Sequence, residues 1–345
     1  MPLDRLKASG FTAFDEIELL LDPGVNVLIG PNGSGKTHLM KLLYSVLRSL
    51  DAADAPSQVP ALLEEKLAAV FRPDGNSVSR LVRRVQGKGR SSVELELDQR
   101  RFRFTLHQTS SGPVREVTRT RVPSLASVFL PSREVLSLFE GFMALYQARQ
   151  LSIDETYADA VAALDLPPLR GPRPGALGDV ARDLETAIRA RVRRDGPRFY
   201  LRESSGAKIE AHLVAEGHRK IASVLQLISN GSLRDRAVLF WDEPEANLHP
   251  LLAETVVDAI VKLAGAGVQI ILATHDYLVA SRISLRAAQE LSTSARFFAL
   301  VPTKDKGAKV VSGARIEDLD ENLLLEAIRR HTTFQRSRAL AAMQP

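Results

Sequence analysis

Gly30-Pro31-Asn32-Gly33-Ser34-Gly35-Lys36-Thr37 decides the fold. A glycine, four residues and then Gly-Lys-Thr is the spacing of a P-loop. Ahead of it stands Val25-Asn26-Val27-Leu28-Ile29, a short β-branched run read as a buried strand. Behind it Leu39, Leu42, Leu43, Val46 and Leu47 recur on one helical face. Strand, glycine loop, helix is the order a phosphate cradle requires. Glycines let backbone amides approach phosphate oxygens, and the helix start adds the positive end of its dipole. The expected ligand is ATP, with Lys36 bridging its β- and γ-phosphates and the Thr37 hydroxyl on Mg²⁺. The nucleotide contacts expected here are Gly30, Pro31, Asn32, Gly33, Ser34, Gly35, Lys36, Thr37 and His38.

A second apolar run, Val238-Leu239-Phe240-Trp241, ends in Asp242-Glu243. A buried strand delivering two adjacent carboxylates is the Walker B arrangement. Asp242 is expected to hold Mg²⁺ with Thr37, and Glu243 to orient or deprotonate the attacking water. A third run ends in Thr274-His275-Asp276. Ligand groups project from the carboxyl ends of parallel strands, which places His275 to sense the γ-phosphate. Lys36, Glu243 and His275 are thus the catalytic candidates.

The rest of the chain bounds the reading. Its 345 residues are 45% hydrophobic, enough for one large core or two smaller ones. A net charge of +5 permits nucleic-acid binding without demanding it. With no cysteine, disulfides, thiolate metal sites and cysteine nucleophiles are excluded. No apolar run has the length of a membrane span, and Met1-Pro2-Leu3-Asp4 opens no signal peptide, so a cytoplasmic protein is expected. Leu3–Leu21 reads as two strands around a turn, 51–60 as an exposed connection, and 78–122 as antiparallel strands. Glu134–Arg194 reads as helical, interrupted by Pro167-Pro168 and by a loop over Gly171–Gly178, and is followed by strand candidates Arg198–Arg202 and Lys208–Leu213 and a helix from Gly217. From Ala237 strands and helices alternate, as in parallel βαβ units.

Taken together, these motifs resemble the ABC-type ATPases of the SMC, RecF and OLD-like group, often named AAA-family ATP-binding proteins. The opening Ala8-Ser9-Gly10-Phe11-Thr12-Ala13-Phe14 and the phrase Asp242-Glu243-Pro244-Glu245-Ala246-Asn247-Leu248-His249-Pro250 are similar to that group's own. The resemblance implies an α/β P-loop fold of ABC-ATPase type: a mixed β-sheet nucleotide lobe with an inserted helical subdomain. It implies a homodimer sandwiching two ATP, each P-loop facing the partner's signature helix. Here that helix opens Ala215-Glu216-Gly217-His218-Arg219-Lys220. Gly217 is kept, the serine of the family's Ser-Gly-Gly is not, and Arg219 or Lys220 stand as substitutes. Arg133, where relatives carry a glutamine, reads either as a nucleotide or partner contact or as a solvated residue at a helix start.

The expected division is a nucleotide lobe over 1–133, a helical and signature subdomain over 134–220, the rest of the lobe over 221–310, and a helical extension over 311–345. No coiled-coil arm is expected between Lys36 and Asp242, and no nuclease domain is expected at the C-terminal end. Arginine-rich segments (Arg80, Arg83, Arg84, Lys88, Arg90, Arg100, Arg101, Arg103; and Arg189, Arg191, Arg193, Arg194, Arg198) make DNA a candidate partner. The expected function is an ATP-driven clamp or switch in DNA maintenance or antiphage defence, with a separate effector or nuclease as a further candidate partner and no membrane. The alternatives are a transporter ATPase subunit and a nucleotide-gated regulator of a separate effector.

Overall fold

The computed structural model describes residues 3–84, 89–109, 112–118, 125–148, 151–171, 175–290, 293–303 and 307–342. Strands β1 (Leu3–Phe11) and β2 (Phe14–Leu20) form a hairpin that turns at Thr12 and Ala13. β3 (Val25–Ile29) is buried at every position, as a central strand must be, and leads into α1 (Lys36–Ala52). After α2 (Val59–Phe71), strands β4 (Arg90–Leu97), β5 (Arg100–His107) and β6 (Val114–Arg115) extend the hairpin antiparallel.

β7 (Ser127–Leu130) leads into the insertion, where α3 (Phe142–Gln147), α4 (Glu155–Asp165) and α5 (Gly175–Ile188) precede a small sheet of β8 (Ala190–Asp195), β9 (Arg198–Glu203) and β10 (Lys208–Glu210). α6 (Glu216–Ser229) returns the chain to the main sheet. There follow β11 (Val238–Asp242), α7 (Pro250–Gly265), β12 (Gln269–Thr274), α8 (Tyr277–Gln289), β13 (Ala295–Thr303), β14 (Gly307–Gly313) and α9 (Leu323–Ala342).

The large sheet runs β6-β5-β4-β1-β2-β14-β13-β3-β12-β11-β7. Its half from β13 to β7 is parallel and the rest antiparallel, the expected mixed sheet. Side chains alternate across it. Val25, Val27 and Ile29 enter a core shared with α4 to α8, while Leu28 joins one built on α1, α2 and the hairpins. Strands distant in sequence are cross-tied. Gln269 of β12 accepts from Leu3 N (2.8 Å) and donates to Leu3 O (2.9 Å) and Asp22 O (2.8 Å). Among the described residues no helix is long and apolar enough to cross a membrane.

Three expectations need correcting. The connection at 51–60 is shorter than expected, because α1 runs to Ala52 and α2 begins at Val59. The insertion is not all helical: Arg191, Arg193 and Arg194 lie on β8, not at a helix end. Arg189, at a φ of 52°, breaks α5, and period-two burial then takes over. The boundary expected after 220 falls inside α6, and the one after 310 inside β14. Lys88 and residues 172–174 lie outside the described residues.

Candidate functional site

The loop after β3 needs its glycines for space as well as for freedom. A Cβ on Gly35, at a φ of 97°, would meet the Phe14 ring at 2.4 Å, and one on Gly30 would meet Leu300 O at 2.7 Å. α1 starts at Lys36 with no side-chain cap and no acidic residue in its first turn, so its free N–H groups stay available to an anion. The buried Lys36 ammonium folds back on the loop, donating to Gly30 O (2.8 Å) and Pro31 O (3.1 Å). Burial lowers its pKa, opposed by Glu243, Asp242 and Glu245. Ser34 Oγ is buried without a hydrogen-bond partner. A buried cation held only by carbonyls, an orphaned hydroxyl and an uncapped helix start are what a polyphosphate would satisfy. Asn32 and Gly33 form the exposed crest. His38 sets its ring edge-on to Phe71, centroids 5.6 Å apart, which gives it a contact other than phosphate.

The two carboxylates arrive from the next strand but one. Thr37 Oγ1 donates to Asp242 Oδ2 at 3.0 Å, bringing together the two expected Mg²⁺ ligands. Burial raises the Asp242 pKa, and the Thr37 hydrogen bond only partly offsets it. Among the described residues no cluster of three or more His, Asp or Glu forms a metal cage. One carboxylate with a hydroxyl is a donor set that fits Mg²⁺, whose remaining positions go to phosphate and water. Glu243 holds a left-handed φ of 48°, with its N–H on Ala273 O at 2.9 Å. Its Oε1 lies 2.9 Å from His275 Nδ1. A carboxylate only accepts, so Nδ1 carries the hydrogen and Nε2 is left free. Both side chains reach solvent, at 29% and 50% exposure.

The stretch after Glu243 is a shaped turn. Lys220 Nζ donates to Ala246 O (2.7 Å) and Glu243 O (3.3 Å), pinning it from α6. Thr274 Oγ1 donates to Glu245, and Asn247 Nδ2 to Glu216 Oε1 at 3.0 Å. Gly217 sits where a Cβ would meet Leu248 Cδ2 (2.8 Å) and Leu252 Cδ2 (2.9 Å). α6 thus packs on this turn against the ends of two flexible leucine side chains. Arg219 and Lys220 are not free substitutes for a signature serine. Arg219, half-buried, pairs with the buried Glu134 (2.7 Å), and Lys220 is spent on the turn. Arg133 is exposed. The role of Lys220 was missed although a signal existed: it lies four residues before Val224, on the apolar face of its helix.

The basic segments separate. Arg103 pairs with Glu94 and Arg80 with Asp74 (2.7 Å), while Arg83 donates to Ala13 O (2.9 Å). On the small sheet Arg191 stands opposite Arg202, which stands opposite Lys208, a row of three cations across three strands. Arg182, Arg189, Arg191, Arg193 and Arg202 line an open groove of about 910 Å³ there. Arg194 lies on the other face, paired with Asp165 (2.6 Å).

Comparison with known proteins agrees with this geometry. The model of the family described as "AAA domain, putative AbiEii toxin, Type IV TA system" matches residues 25–281, from β3 into α8. The DNA replication and repair protein RecF of Renibacterium salmoninarum is 31% identical over 142 residues, 41% of this chain and 32% of that protein. The chain thus spans about a third or less of the curated relatives it matches. An SMC head domain from Thermotoga maritima superposes with a TM-score of 0.50 at 13% identity, covering 90% of this chain and 98% of the other. An SMC head bound to the C-terminal winged-helix domain of ScpA gives 0.54 at 13% identity, covering 92% and 99%. The fold is that of an SMC head, an α/β P-loop fold of ABC type.

Proposed function

The chain belongs to the family of AAA domains described as "putative AbiEii toxin, Type IV TA system", and from that premise we propose that it is an ATP-hydrolysing dimeric switch acting on DNA. The observation that carries the chemistry is the convergence of Lys36, Thr37, Asp242, Glu243 and His275 at the carboxyl ends of β3, β11 and β12. Lys36 turns from its loop carbonyls to the β- and γ-phosphates, and the α1 N–H groups seat them. Thr37 and Asp242 would hold Mg²⁺, which would supply charge neutralisation at the phosphates. Glu243 orients a water as general base, and His275, held on the Glu243 carboxylate, presents Nε2 to the γ-phosphate side.

Three exposed leucines support closure of the site against a second copy. Leu213, Leu251 and Leu278 are the most exposed leucines of the described residues, at 69%, 69% and 72%. Leu213 stands just ahead of α6, Leu251 and Leu278 at the starts of α7 and α8, on the rim where β11 and β12 deliver Glu243 and His275. Exposed apolar residues at or just ahead of helix starts that follow the site strands support burial against a second copy. The role in DNA maintenance or antiphage defence rests on resemblance to RecF, on the family description and on the cation row of the small sheet.

Two substitutions test the chemistry. Lys36→Ala is expected to abolish ATP binding in a titration. Glu243→Gln is expected to bind ATP normally and lose turnover by about 10²–10⁴-fold, the usual worth of a positioned base. Wild-type turnover by Glu243→Gln would remove Glu243 from the mechanism.

A further inference from the structure

We propose that the chain carries a second ligand site, for a small anion, at the end of α1 remote from the glycine loop. A cavity of about 410 Å³ lies there, of the size that small-molecule sites occupy. Three parts of the fold meet around it: the last turns of α1 (Tyr44, Arg48, Asp51), β7, and α4 together with the connection from α6 to β11 (Asn230, Ser232, Arg234). Arg48 lies about 16 Å from Thr37 along α1 at the ordinary helical rise, so the two sites are separate.

The wall is left short of acceptors. Ser127 is nine-tenths buried, and its hydroxyl has no hydrogen-bond partner. Ser232 Oγ and Arg48 Nε are likewise buried and unpartnered. Buried polar atoms are nearly always satisfied, so three orphans around one cavity point to something that accepts from them. β7 adds to this as the last strand of its sheet. Ala126 O accepts from Val238 N (2.8 Å), so alternation turns the N–H of Ser127 and Phe129 to the open edge.

The carboxylates present do not fill the need. Asp159 already accepts from Tyr44 Oη (2.7 Å) and Lys66 Nζ (2.6 Å). Asp51 reaches only the outer nitrogen of Arg48, at 3.5 Å. Arg234 is exposed at the mouth and is given no ion pair among the described residues. Ala162, Ala163 and Leu166 supply an apolar floor. Guanidinium, two hydroxyls and edge amides over an apolar floor suit an oxyanion, phosphoryl or carboxylate, on a small body. A ligand there would bear on α1, which begins at Lys36, and on the connection into β11, which ends at Asp242.

The test uses the full chain carrying Lys36→Ala, so that the glycine loop does not take up the probe. Inorganic phosphate and AMP are titrated separately while thermal melting and heat of binding are followed. A rise in melting temperature with phosphate identifies a free-anion site, and one with AMP alone a nucleotide-type ligand. Adding Arg48→Gln is expected to weaken binding about tenfold, the worth of one charge-assisted hydrogen bond. If that variant does not fold, Arg234→Gln at the exposed mouth is read instead and is expected to weaken binding in the same direction. Melting unchanged up to about 10 mM of either probe, where a millimolar site would be mostly filled, overturns the proposal. Equal binding by the parent and the folded arginine variant overturns it too.

Discussion

Asp242 shows what the site costs the fold. Burial raises its pKa above the ordinary carboxylate value. An acid with a raised folded pKa holds its proton more tightly when folded. Its contribution is therefore fullest below the unfolded pKa and is lost as pH rises through the folded one. At neutral pH the nucleotide-free chain carries a buried charge against its own stability. Asp242→Asn keeps an oxygen to accept from Thr37 and removes that charge. It should raise the melting temperature without nucleotide while abolishing Mg²⁺-dependent turnover. A lower melting temperature in scanning fluorimetry would contradict this. At this scale the sequence was legible where spacing encodes chemistry: Thr37 reaches Asp242 and His275 reaches Glu243, pairs far apart in the chain. It was not legible where a residue's work depends on packing. Gly217 matches a family position, and only the folded chain brings Leu248 and Leu252 near it.

α6 is the element on which the site's geometry rests. Its Lys220 fixes the turn after Glu243, and its half-buried Arg219 pairs with the buried Glu134, with the side chains 15% and 4% exposed. Removing one partner of a buried pair leaves the other charge uncompensated. Arg219→Met should therefore destabilise by about 3–5 kcal/mol, and adding Glu134→Gln should recover part of the loss. Urea titrations of the two variants would show it, and a double variant no better than the single would refute the pairing. Element type followed periodicity in α1 and β4, while Val78–Leu81 and Ala211–Leu213, read as strand, are short 3-10 turns. It failed at β8, where the arginine-rich composition hid a period of two, and at α2, where Ala, Asp and Pro ahead of Val59 read as loop.

For the whole molecule, the dimer and the DNA surface make separate predictions. Leu213, Leu251 and Leu278 changed together to Glu should abolish the ATP-dependent dimer of a Glu243→Gln chain in sedimentation, leaving monomer folding intact because all three are exposed. An unchanged dimer fraction would place the interface elsewhere. In the Arg191–Arg202–Lys208 row, Lys208 pairs with Asp195 (2.6 Å) and Arg191 with Glu185 (3.4 Å), and the surrounding arginines of the groove remain a surface that suits a polyanion. Arg193→Glu with Arg202→Glu should cut DNA affinity, flatten its salt dependence and spare ATP hydrolysis. Anisotropy that is equal for variant and wild type would make the groove a bare surface. The cross-tied sheet has one more consequence, for the order in which the chain is made. β3 is flanked by β12 and β13, and Leu3 is tied to Gln269, so the glycine loop has no finished support until Ala295–Thr303 has left the ribosome. The segment that carries β3 waits long for its neighbours. Its apolar strand is then the stretch most exposed to premature association, and the one a nascent-chain chaperone would have most reason to hold.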